Sequence, residues 1–141
     1  MTKFNFPVTL ELRIDWSELD IFGHVNNISI FKYIQSSRVE YLERIGLTTM
    51  HQKSGIGPIL ASCKCDFKSP LFYPGQITIQ SRVDFIKNTS FCICHQIIDD
   101  KNQLSAEAQD IIVLFDFNKN KKVQLTPEIR SLIEKLENKI F

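Results

Sequence analysis

The sequence has no long apolar run. Its longest purely apolar stretch, Ile111–Phe115, falls far short of the roughly 20 residues that a membrane-spanning helix needs. The opening Met-Thr-Lys-Phe-Asn-Phe-Pro holds neither an apolar core nor a small-residue cleavage pattern, so no secretory signal is expected. Charge of one sign is missing too. Seventeen Lys and Arg against 16 Asp and Glu leave a net charge of +1, which supplies no basic face for a nucleic-acid partner. The chain also lacks internal repeats, low-complexity tracts and a linker. Its 141 residues fit one domain over 1–141. The expectation is a soluble, cytoplasmic protein with no membrane span.

Several catalytic signatures are absent as well. There is no Gly-x-Ser-x-Gly elbow, which argues against an α/β-hydrolase. No phosphate loop, zincin motif or dinucleotide fingerprint occurs. The four cysteines form two Cys-x-Cys pairs, Cys63/Cys65 and Cys92/Cys94. Zinc sites favour two to four intervening residues, whereas positions i and i+2 share one face of a strand. Reduced, strand-borne cysteines are therefore expected, with no metal and no cofactor.

What is present is a clear change of period along the chain. Val8, Leu10, Leu12 and Ile14 alternate with Thr9, Glu11 and Arg13, the pattern of a half-buried strand. Trp16–Asn27 breaks the alternation and reads as a loop. From Asn27, Ile30, Phe31, Ile34, Tyr41, Leu42 and Ile45 follow helical spacing over about five turns. Asn26 or Asn27 can cap the start of that helix, and Gly46 suits the left-handed position after its end, with Leu47 packing back. A loop over 54–58 precedes strands at 59–67, 76–87, 90–98 and 105–117, joined by turns at Pro74-Gly75, Asn88-Thr89 and 99–103. Thr126 and Pro127 open a closing helix with an Ile129, Leu132, Ile133, Leu136 and Ile140 stripe. Lys119–Lys122 reads as a solvated turn. One long helix beside about five meandering strands predicts an α+β fold with an antiparallel sheet wrapped around the helix. The eleven Phe residues point to an aromatic core or an apolar pocket.

The segment Ser17-Glu18-Leu19-Asp20-Ile21-Phe22-Gly23-His24-Val25-Asn26-Asn27 resembles the Asp-x-Asp-x-x-Gly-His-Val-Asn-Asn signature of the 4-hydroxybenzoyl-CoA thioesterase family, within the hotdog-fold acyl-CoA thioesterases. The resemblance continues at Arg38, which the family often fills with Arg, at Asp66–Leu71, at the Thr89-Ser90 hairpin and at Ala106-Glu107-Ala108. It departs at Glu18, where the first Asp usually stands, at Ile30, which replaces an aromatic, and at Gln35, where Glu is common. The resemblance implies the hotdog fold, hydrolysis of an acyl-CoA to free acid and CoA, and a homodimer or homotetramer. The site would be shared between subunits, its second wall coming from residues 62–69 of a neighbouring copy.

Thioester hydrolysis needs an oxygen nucleophile and a group that stabilises charge growing on the carbonyl oxygen. Asp20 can meet the first need, as general base toward water or as direct nucleophile. The backbone N–H of Asn27 can meet the second, because a helix start presents unpaired N–H groups and the positive end of its dipole. Gly23, lacking a Cβ, would let the backbone approach the thioester. His24 would orient the loop, bond across a subunit interface or assist a proton transfer. Lys87, Thr89 and Ser90 are candidates for the CoA phosphates. Arg38 is expected to form a buried ion pair, and His51 and His95 to be surface or packing residues. Two alternatives keep the fold: an acyl carrier protein thioesterase, and a non-catalytic acyl-CoA binding module.

Overall fold

The computed structural model describes residues 4–141. The elements are β1 (Val8–Arg13), α1 (Asn27–Arg44), α2 (Leu47–Ser54), β2 (Ile56–Phe67), β3 (Gln76–Ile86), β4 (Ser90–Asp99), β5 (Leu104–Asp116), β6 (Lys121–Lys122) and α3 (Pro127–Glu137). A 3-10 turn at Trp16–Glu18 interrupts the loop ahead of α1. The antiparallel sheet runs β1-β3-β4-β5-β2, with the short β6 paired to β5. No helix among the described residues is long and apolar enough to cross a membrane.

Helix α1 forms where the 3.6-residue period predicts it. Asn26 Oδ1 caps it by accepting from the Ser29 N–H at 2.7 Å, which answers which asparagine serves as the cap. Its buried stripe holds Ile30, Tyr33, Ile34, Tyr41 and Leu42, with two serines, Ser29 and Ser37, interspersed. Gly46, at φ +77°, ends α1 as expected; a left-handed backbone there favours glycine. Leu47 folds back into the core.

The structure departs from the sequence reading at four places. Residues 47–54 form α2, a two-turn helix too short for periodicity to reveal, and only Leu47 of it is buried. Strand β2 begins at Ile56, inside the segment 54–58 read as a loop. Gly57 is a strand residue pressed against α2, where an added Cβ would meet the His51 Cβ at 2.7 Å. The strands are also not a plain meander. β3, β4 and β5 follow one another, but β2 pairs with β5 at the far edge. The 68–75 connection must therefore cross the end of the sheet. It is tied there by Lys68 N–H to Ser105 O at 2.8 Å and by Val25 N–H to Leu71 O at 2.9 Å. The Lys119–Lys122 turn is shorter than expected, since Lys121 and Lys122 pair with Asp116 and Phe115.

The core has two apolar halves on the helix-facing side of the sheet. One gathers Ile14, Val25, Ile30, Ile34, Leu71 and Ile77 around the start of α1. The other gathers Tyr41, Ile45, Val83, Phe91, Ile112 and Ile133 around its end, with α3 as cover. Ile34 has no exposed surface. Truncation to Ala is predicted to destabilise the protein by about 2–5 kcal/mol through lost burial and a residual cavity; urea unfolding of Ile34→Ala against the parent chain measures this.

Candidate active site

Asp20 sits in a tight turn just before α1. Its N–H donates to His24 O at 2.7 Å, and the Gly23 N–H donates back to Asp20 O at 3.1 Å. Leu19 and Val25 pair across the turn as an antiparallel bridge. Gly23 has φ +82°, and an added Cβ would meet nothing within 4 Å. Backbone conformation, rather than crowding, is what asks for glycine there.

The turn aims the carboxylate. Asp20 Oδ1 accepts from the N–H groups of Phe22 at 2.8 Å and His24 at 3.3 Å. Oδ2 has no donor among the described residues, and the side chain is exposed. One oxygen is thus held and the other is left for water or substrate.

The start of α1 follows at once. Asn26 N–H donates to Glu18 O at 2.9 Å, and Asn26 O accepts from Ile30. The Ser29 N–H is taken by the cap. The N–H groups of Asn27 and Ile28 have no acceptor among the described residues, which leaves them as donors at the positive end of the helix. Glu18 also supports this platform. Its Oε1 accepts from the Asp15 N–H at 2.8 Å and from the Tyr33 hydroxyl at 2.7 Å. Burial and the Glu18 carboxylate raise the Tyr33 pKa, so Tyr33 stays a donor. His24 packs edge-on against Phe72, with ring centroids 5.1 Å apart, and its ring has no hydrogen bond among the described residues.

Asp20, Gly23 and His24 thus share one turn, and Asn27 follows shortly after it as the first residue of α1. The Gly23 N–H is engaged by Asp20 O and is not a free donor. Lys87, Thr89 and Ser90 lie elsewhere, in the β3–β4 hairpin. That hairpin is closed by Lys87 N–H to Ser90 O at 2.7 Å and tied to β5 by Leu114 N–H to Thr89 O at 2.9 Å. It adjoins the core half at the end of α1, so one chain does not place it beside Asp20.

A buried polar network extends from Arg38 across the core. Arg38 Nη1 donates to Asp110 Oδ2 at 2.9 Å, as the expected buried ion pair. His95 Nε2 reaches the same oxygen at 2.7 Å. His95 Nδ1 meets the Ser81 hydroxyl at 2.7 Å, and Ser81 meets the Ser37 hydroxyl at 2.5 Å. His95 is thus no ordinary packing residue. This belt crosses the core between its two apolar halves. Its signal in the sequence was positional: Ser81 lies between Ile79 and Val83, His95 between Ile93 and Ile97, and Asp110 between Ala108 and Ile112, all on the inward phase of their strands. A Ser–His–Asp sequence of contacts results, but Ser81 has no exposed surface and so cannot meet a substrate.

Burial alone would raise the pKa of Asp110. The His95 contact, the Cys63 thiol and Arg38 together outweigh it and hold the carboxyl below its usual range. Oδ1 meets no donor at hydrogen-bond geometry, although Cys63 is close enough to feel the carboxylate: burial first, and then Asp110, push the Cys63 thiol up to about 12. All four cysteines are free, Cys63 and Cys65 on β2, Cys92 and Cys94 on β4. No cluster of three metal-ligating side chains occurs among the described residues.

An antiparallel sheet curled against one long helix is the arrangement of a hotdog-fold protein. The chain belongs to the thioesterase-like superfamily, whose family model matches residues 14–133. It is 32% identical over 124 residues to the chloroplastic acyl-acyl carrier protein thioesterase ATL3 of Arabidopsis thaliana, a match covering 86% of this chain and 65% of that protein. The chain thus spans just under two thirds of the plant enzyme's length. It is 20% identical over 127 residues to the long-chain acyl-CoA thioesterase FadM of Escherichia coli, covering 89% of this chain and 96% of that one. The fold matches a solved thioesterase from Thermus thermophilus, complexed with coenzyme A and Zn, at a TM-score of 0.86 and 21% identity. That match covers 96% of this chain and 98% of the other.

A carboxylate whose pKa is lowered by folding stabilises the protein above its unfolded value, and that contribution is lost as pH falls through the folded value. Asp110 should therefore weaken the fold as pH drops below about 4. Asp110→Asn is predicted to lose about 3–5 kcal/mol at neutral pH, the scale for leaving a buried partner uncompensated, and to show a shallower further loss in acid. Denaturant unfolding of both proteins across that pH range measures the difference.

Proposed function

We propose that the protein hydrolyses acyl-CoA thioesters to free acid and CoA at the start of α1. Asp20 acts as general base toward water or as nucleophile, and the Asn27 N–H holds the carbonyl oxygen as it becomes negative. The observation that carries this reading is the pairing of an unengaged carboxylate oxygen, Oδ2 of Asp20, with an unengaged N–H at the helix start a short stretch of chain away. The two groups answer the two demands of thioester cleavage. Held backbone dipoles also cost little reorganisation during the reaction. His24, packed on Phe72, positions the loop.

The proposal includes a homodimer or homotetramer, in the cytoplasm. Two observations support assembly. Strand β2 is a twelve-residue free edge of the sheet, open to pairing. Ile21 and Phe22 at the turn, and Ile28 on α1, are exposed beside the proposed site at 93%, 79% and 69%, an apolar surface that invites cover. A second copy would bring its residues 62–69 to the open side. It would also bring a Lys87–Ser90 hairpin within reach of the CoA phosphates, which one chain alone does not supply.

The likeness to the plant enzyme favours a second reading, in which acyl carrier protein carries the acyl group. The same atoms would then do the same chemistry on another carrier. Rates on matched CoA and carrier-protein thioesters separate the two. A non-catalytic acyl-CoA binding module would bind without turnover, and the aimed, unengaged carboxylate of Asp20 speaks against it.

Thiol release from a panel of acyl-CoAs tests the main reading. Asp20→Asn is predicted to lower kcat by at least about 100-fold with unchanged unfolding behaviour. Full activity in that variant would remove Asp20 from the chemistry. Sedimentation of the parent protein should show a dimer or larger species, and a monomer active at all concentrations would contradict the shared site.

A further inference from the structure

A second feature adjoins the proposed site and rests on that reading of it. A groove of about 300 Å³ runs along α1 opposite strand β2. Ile28, Phe31 and Leu60 give it apolar walls, and Lys32 and Arg38 line the helix side. It begins one residue after Asn27, where the carbonyl would be held. Arg38 lies about three turns further along the same helix, a rise of about 16 Å, and helical side chains lean back toward the N-terminus. The groove has the form of a slot for the acyl group.

Its far end is charged. Arg38 is the only member of the buried belt that reaches it. Its side chain is 12% exposed, while that of Asp110 is 0% exposed; Ser37, Ser81 and His95 are equally buried. One nitrogen, Nη1, is held by Asp110. The rest of the guanidinium makes no hydrogen bond among the described residues, and neither Nε nor Nη2 is a buried orphan. Lys32 joins no ion pair among the described residues, and no acidic side chain lines the groove. A buried ion pair with its supporting hydroxyls and imidazole is a poor way to stabilise a core, because desolvation offsets most of the attraction. It is an effective way to hold one guanidinium still, at one depth in a slot.

We infer that this groove selects acyl groups whose far end carries a hydrogen-bond acceptor, a carboxylate above all, which Arg38 receives through its unheld N–H groups with Lys32 adding charge. Asp110, His95, Ser81 and Ser37 are positioning residues for Arg38. No bond is made or broken at this end; it sets specificity while cleavage takes place at the helix start.

Calorimetry with non-hydrolysable CoA thioethers of medium chain length, ending in a methyl group or in a carboxylate, tests this without any turnover. The parent protein should bind the carboxylate-ended analogue about tenfold more tightly, the scale of one charge-assisted hydrogen bond. Arg38→Lys, which keeps a cation beside Asp110, should retain part of that preference, and Arg38→Gln should bring the two affinities to parity; an undiminished preference in Arg38→Gln overturns the inference. Equal binding of the two analogues by the parent protein, tighter binding of the methyl end, or no binding of either overturns the inference. The same two chains as thioesters keep the two ideas apart. Turnover of both without preference removes the specificity and leaves the enzyme reading standing. Preferential binding with no turnover of either removes the enzyme reading and leaves the groove.

Discussion

The fold depends on how α1 is seated against the sheet. Its apolar stripe meets β1, β3 and β4, and the apolar residues at its two ends belong to separate halves of the core. Between those halves the contact is polar: Arg38 and Ser37 of the helix are joined to β3, β4 and β5 through Ser81, His95 and Asp110. Apolar burial is non-directional and would tolerate small slides of the helix. Hydrogen bonds of fixed length and angle do not. The belt therefore sets the depth and rotation of α1, and with them the place of its N–H groups at one end and of the Arg38 guanidinium in the middle.

The turn ahead of α1 is held just as firmly. The Asp20 turn is locked by its own backbone and by the Leu19–Val25 bridge. Val25 is tied to Leu71, and Asn26 to Glu18. The carboxylate and the helix start thus belong to one rigid corner, where the connection crossing the sheet meets the loop after β1. The surface around that corner is apolar and open, with Ile21, Phe22 and Ile28 exposed.

Much of this was legible in the sequence, where local pattern carries the signal. The alternation in β1 and the helical period of α1 named both elements, and the Gly-His-Val-Asn-Asn run marked the corner between them. Asn26 as cap and Gly46 as terminator follow from backbone requirements that few residues satisfy. Other features were hidden because they depend on what the chain meets later. Helix α2 has two turns and one buried residue, so no period could show it. The place of β2 beside β5 is a matter of pairing, which the alternation of either strand does not encode. His95 and Asp110 are 15 positions apart, and only the registration of β4 on β5 makes them neighbours. The Asn88-Thr89 turn is legible in the sequence, yet the distance of its hairpin from Asp20 within one chain follows from the length and direction of β3, which the sequence near the hairpin does not display.

In the proposed chemistry, Asp20 and the start of α1 address the same carbonyl. The most direct measurement is a crystal structure with an acyl-CoA analogue in which a methylene replaces the thioester sulfur, so that the carbonyl is kept and cannot be cleaved. The carbonyl oxygen is expected about 3 Å from the Asn27 N, with the carbonyl carbon facing Oδ2 of Asp20 directly or through one water. A carbonyl bound away from the helix start, with Asp20 turned to bulk solvent, would contradict it.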